Sequence, residues 1–185
     1  MLYSETMSGE IKIWVQEMNA YHMGHLVGGS IQLPTEDEEE ITKFMEDLLQ
    51  KSQVATGEST SGRFQIIKAE NMPFKINSTD DLNDINHKLQ DIEFFDEDEL
   101  IALTAFLEDS TDFDSAVVFV NNQEYRVYNN CFEMEDVARE VAEEKNILHG
   151  CTPIAKEFFD YTAYGEYLEE NGTYLYVSGN YVHLF

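Results

Sequence analysis

A surplus of carboxylates constrains this chain more than any other feature. It has 37 Asp and Glu against 11 Lys and Arg, a formal net charge of −26 over 185 residues. A small domain stays soluble at a net charge of roughly 2–8 in magnitude. The excess is therefore not needed for solubility, and its self-repulsion works against the compact state. Nor is it a tail. Residues 1–60 hold 11 acids and 3 bases, residues 61–122 hold 14 and 4, and residues 123–185 hold 12 and 4. With acid in every part, nucleic acid is excluded as a ligand, because binding it takes clustered Lys and Arg. An anionic membrane is excluded for the same reason. The complementary partner is a basic protein surface. Hydrophobic residues at 43% and aromatics at 12% still provide for a folded core.

Two cysteines, Cys131 and Cys151, make no disulfide framework. The start, Met1-Leu2-Tyr3-Ser4-Glu5, has neither a basic nor an apolar leader segment. No apolar run approaches the length of a membrane span. The expected location is the cytoplasm.

Patterning predicts an α+β chain in three pieces. In the first, residues 1–70, Lys12–Glu17 and His25–Leu33 have strand composition, with a turn over Asn19–Gly24. Thr35 is the expected N-cap of a helix whose stripe is Ile41, Phe44, Met45, Leu48 and Leu49. Gln53–Gly62 is expected as a loop and Arg63–Ala69 as a strand. Met72-Pro73-Phe74 marks a boundary, and residues 71–122 follow as a helical middle domain. There Ser78 or Thr79 caps a helix with Leu82, Ile85, Asn86 and Leu89. Asp96–Glu99 opens another, and Asp112–Asn122 leans to helix over strand. In the third piece, residues 123–185, Glu124–Tyr128 is a strand and Glu133–Lys145 a helix. Pro153 starts a helix continuing through Ile154–Tyr161. Ala163–Asn171 is a short helix, and Thr173–Val177 and Tyr181–Phe185 form a hairpin about Ser178-Gly179-Asn180.

Catalytic and metal motifs are weak. His22 and His25 stand three apart, but in a turn without Cys or carboxylate at ligand spacing, which fits surface histidines. His149-Gly150-Cys151 lacks a second pair and fits a helix stop. There is no phosphate loop or nucleophile elbow. No catalytic residue, metal or cofactor is assigned. A carboxylate pair for hydrolysis stays open, since 37 acids supply pairs by chance.

The acids themselves recur at spacings of three and four, which share one helix face. Glu36, Glu39, Glu40 and Asp47, with Lys43 among them, face away from the apolar stripe. Asp80, Asp81, Asp84 and Asp91 do so on the next helix, and Glu133, Asp136, Glu140, Glu143 and Glu144 on a later one. Asp37, Asp96, Glu97, Asp98, Glu99, Glu108, Asp109, Asp112 and Asp114 join them as the expected partner-binding surface. One such face is ordinary solvated helix. Repetition on every helix with few interspersed bases is not, since like charges four apart cost a few tenths of a kcal/mol per pair. Duplex DNA carries one charge per ~1.7 Å of axis, so 26 charges correspond to about 13 base pairs.

Three stretches carry a family resemblance: Ile11–Pro34 with His25-Leu26-Val27-Gly28-Gly29, then Asn71–Phe74 leading to Leu82, and then Asp136-Val137-Ala138-Arg139 through Asp160-Tyr161-Thr162-Ala163-Tyr164-Gly165 to the C-terminus. Together the chain resembles the ArdA antirestriction family, carried on conjugative plasmids and transposons. It departs from that pattern around Gln53–Gly62 and Asp109–Asn130. The resemblance implies elongated homodimers of three small domains per chain, joined through the C-terminal domain. It also implies a non-enzymatic inhibitor that mimics DNA in the groove of type I restriction–modification enzymes, on their modification and specificity subunits, and so protects an incoming mobile element. An acidic adaptor or chaperone for a basic, non-restriction DNA-binding protein is the alternative. The aromatics Tyr174, Tyr176, Tyr181 and Phe185 serve core or dimer surface, with core favoured for each.

Overall fold

A computed structural model describes residues 9–59 and 62–185. The start of the chain, Met1–Glu5, lies outside the described residues, as do Thr60 and Ser61 of the expected Gln53–Gly62 loop. Eight helices and two small antiparallel sheets are found among the described residues, an α+β fold. They gather into two compact units, one ending at Phe94 and the other spanning Phe95–Phe185.

In the first unit, β1 (Ile11–Glu17) is the central strand of the order β2-β1-β3, with β2 (Gly28–Leu33) and β3 (Phe64–Glu70) on either side. Ile13 lies opposite Ile31 and Ala69. Alternation turns Ile13, Val15 and Glu17 inward. There they join Ile31, Leu33, Ile41 and Leu48, the last two from α2 (Glu38–Thr56). The short α1 (Met18–His22) occupies the segment expected as a turn, because the Glu17 side chain caps it. The strand expected from His25 begins only at Gly28. Gly28 itself is required there: a Cβ would stand 2.8 Å from the Val15 carbonyl oxygen.

Three expected helix boundaries lie elsewhere. Thr35 is not the cap of α2. Asn86 grips its backbone in both directions, Thr35 N to Oδ1 at 2.8 Å and Asn86 Nδ2 to Thr35 O at 3.0 Å, and Gln90 adds a third bond at 2.8 Å. Asp37 caps instead, accepting from Glu39 N. The far end runs past Gln53 to Thr56, and Gly57 stops it in the left-handed region, φ 71°. The third helix, α3 (Leu82–Asp91), is capped by Asp81 rather than Ser78 or Thr79.

The second unit is built on the sheet β4-β6-β5, from β4 (Tyr125–Tyr128), β5 (Thr173–Val177) and β6 (Asn180–Leu184). Val177 pairs with Asn180 across Ser178 and Gly179, both at positive φ, which is the turn a two-residue hairpin takes. Tyr128, Tyr174 and Tyr181 pack with Val137, Ala138, Val141 and Leu168 of α6 (Met134–Glu144) and α8 (Tyr161–Asn171). Val182 alternates onto the opposite face, and α4 (Glu97–Glu108) packs on all three strands. The helix over Asp112–Asn122 is α5 (Phe113–Asn121), paired with α4. The break between the helices expected over Pro153–Tyr161 and Ala163–Asn171 lies earlier than expected. The first, α7 (Pro153–Glu157), stops early, and Asp160 then caps α8 by accepting from Ala163 N at 2.9 Å. Gly165 allows α8 to touch α6, since a Cβ there would lie 2.7 Å from the Met134 carbonyl oxygen. Tyr174 and Tyr181 flank the core, as expected, whereas Tyr176 and Phe185 are exposed, against the core use favoured for each.

Candidate protein-binding surface

Of the acids expected to bind a partner, none is buried. Asp80, Glu99 and Asp136 are half-buried and the other nineteen are exposed. The structure then separates those that serve the fold from those that do not.

One group closes helix N-termini, where a carboxylate meets unpaired N–H groups and the positive end of the dipole. Asp37, Asp81 and Asp112 each accept from the backbone of the following helix. The Ser115 amide and hydroxyl hold the Asp112 carboxyl below the usual carboxylate range. Asp96 and Glu99 form a reciprocal capping box at α4, Glu99 N donating at 2.9 Å and Asp96 N at 2.7 Å. Asp136 accepts from Phe132 N and Glu133 N ahead of α6, and Asp80 accepts from Asn77 N. In these places the charge has a structural reason.

A second group is partly neutralised or hydrogen-bonded by neighbouring side chains. Lys43 pairs with Glu39 at 3.0 Å and Lys51 with Asp47 at 2.5 Å, so the α2 face is less continuous than its spacing suggests. Glu144 pairs with Arg126, and Glu140 accepts from the Cys131 thiol at 3.6 Å. Burial and the Glu140 charge push that thiol up to about 12, leaving it unreactive.

The third group has no such reason. Glu108 and Asp109 close α4, and Glu143 stands in the last turn of α6, where the dipole disfavours negative charge. Glu169 and Glu170 do the same on α8 and were not singled out in the sequence, although their spacing from Glu166 signals one exposed face. No base occupies the last turn of α2, α4, α5, α6 or α8. Natural helices place Lys, Arg or His there.

Glu17 stands apart from all three. It is 0% exposed. Burial raises its carboxyl, but bonds from Ala20 N, Arg63 N, Ser52 Oγ and Asn19 N bring it below the usual range. Those bonds measure 2.7, 3.0, 2.8 and 3.2 Å, and they tie α1, α2 and the approach to β3 to one side chain. The sequence did not mark it, though the alternation Ile13, Val15, Glu17 pointed it inward.

Among the described residues no cluster of His, Cys, Asp and Glu could hold a metal. His22, His25 and His149 are exposed, and both cysteines are free. Among the described residues no helix is long and apolar enough to cross a membrane. A search of curated proteins returned no match. The family model described as antirestriction protein (ArdA) matches residues 13–183, nearly the whole chain, and the protein accordingly belongs to the ArdA antirestriction family.

Proposed function

We propose that the protein is a non-enzymatic inhibitor whose carboxylates stand in for DNA phosphates in the groove of a type I restriction–modification enzyme, against its modification and specificity subunits. The observation that carries this reading is the acid at helix C-termini, exposed and with no base in the last turn. Charge placed against the dipole weakens the fold, so its use lies with a partner. Lys and Arg of a DNA groove would meet these carboxylates as they meet phosphates, and counterions would leave both surfaces.

Self-association through the C-terminal part belongs to the same proposal, as does the three-part division at residues 70 and 122. Supporting the former, α7 buries none of its residues, and Ile154 and Phe158 are 69% and 78% exposed. Apolar surface of this kind marks contact with another protein. The test is competition. The purified protein should displace duplex DNA from a methyltransferase core of modification and specificity subunits, and its gene should protect unmodified phage from restriction. Undiminished DNA binding at saturating protein, together with full restriction, would refute the reading. Recovery of a basic, non-restriction DNA-binding protein by pull-down would favour the adaptor instead.

A further inference from the structure

His183 differs from His22, His25, His87 and His149 in being packed rather than exposed. Its ring lies flat on Tyr174, centroids 4.3 Å apart and planes 5° apart, and meets the edge of Phe185 at 5.3 Å. It also sits over Gly172, where a Cβ would come within 3.0 Å of Nε2. Strand register sets Arg126 of β4 and Tyr174 of β5 on either side of it across the sheet. From α6, Lys145 following the helix adds a second cation, while the nearby anion, Glu144, is already paired with Arg126. Tyr181 precedes His183 on the same face of β6, and Tyr164 approaches Tyr174 from α8.

We propose that His183 is a proton-sensitive staple of the second unit: neutral, it clamps β5 to β6 through Tyr174, and protonated, it becomes a third cation beside Arg126 and Lys145 and loosens that sheet. Burial first, and Lys145 second, disfavour the charged ring and hold it below its ordinary 6.5. For a base depressed in the folded state, the unfolded chain binds more protons below the ordinary value. The stability His183 contributes is therefore complete above pH 6.5 and falls as the pH drops below it. This holds whether or not the protein binds a restriction enzyme.

The experiment uses the full chain. Ring titration by NMR gives the His183 value directly. Amide exchange at Val182, corrected for intrinsic rate, is compared at pH 7.5 and 5.5 in wild type, His183→Gln and His149→Gln. Comparing variants cancels the surface acids, whose repulsion eases in the same interval. Wild type and His149→Gln should lose up to tenfold in protection for each pH unit by which the ring is depressed, and His183→Gln should lack that loss. A ring titrating at or above 6.5 overturns the proposal, as does an equal loss in His183→Gln. Should that variant not fold, the ring titration of the wild type decides alone.

Discussion

The two units place polar groups in their interiors in opposite ways. The first buries a charged carboxylate, Glu17, and surrounds it with four donors. Among its described residues the second buries no acid, and its interior polar groups are tyrosines, the Cys131 thiol and the packed His183 ring. The difference shows what an acid must have to serve a fold. A buried charge is tolerated when donors are fixed in advance around it. Where the chain lacks such a cradle, the acid stays outside, and most of the 37 acids do so.

The comparison can be broken first at Glu17. Glu17→Gln removes the charge and points an NH2 group at backbone donors. It should destabilise the first unit by roughly 2–4 kcal/mol in urea unfolding; a change under about 0.5 kcal/mol would mean the cradle is not a stabilising feature. Because the folded carboxyl lies below its ordinary 4.5, its contribution is full above that pH and fades as the pH falls below it. Wild type and Glu17→Gln should accordingly converge in stability below about pH 4.5.

The second unit has its own fixed contact at Gly165. Gly165→Ala forces a methyl group against the Met134 backbone. The expected cost is about 1–3 kcal/mol, read as lost amide protection in α6 and α8 with the first unit unchanged. The caps lie between interior and surface. Asp37→Asn and Asp96→Asn keep a good N-cap and should shift stability by no more than about 0.5 kcal/mol, whereas Asp→Ala at either should cost about 0.5–2 kcal/mol. Equal effects of Asn and Ala would show that charge, not hydrogen bonding, holds these termini.

Local chemistry was legible in the sequence and distant contacts were not. Asp96–Glu99 gave α4 its capping box directly, and Ser178-Gly179 gave the hairpin. Thr35 misled because Asn86, 51 residues away, holds its backbone, while its hydroxyl bonds Asp37 N and Glu40 and Asp37 caps the helix. The end of α2 misled because Gln53–Thr56 have loop-like composition, while the stop signal is Gly57. The break after α7 was placed too late because Asp160, and not a residue after Tyr161, caps the next helix. For the candidate surface, the quantity and exposure of acid followed from counting and spacing. Which acids are committed to caps and which are left over depends on where each helix begins and ends, and the sequence placed several of those ends two to four residues away.

The leftover acids are the central claim, and one variant tests them directly. Glu108→Lys, Asp109→Lys and Glu143→Lys together turn helix ends from unfavourable to favourable. The chain should become more stable, by about 0.3–1 kcal/mol for each site, while its displacement of duplex DNA from a type I methyltransferase core weakens and loses part of its salt dependence. A chain that gains stability and competes as well as wild type at every salt concentration would contradict the account.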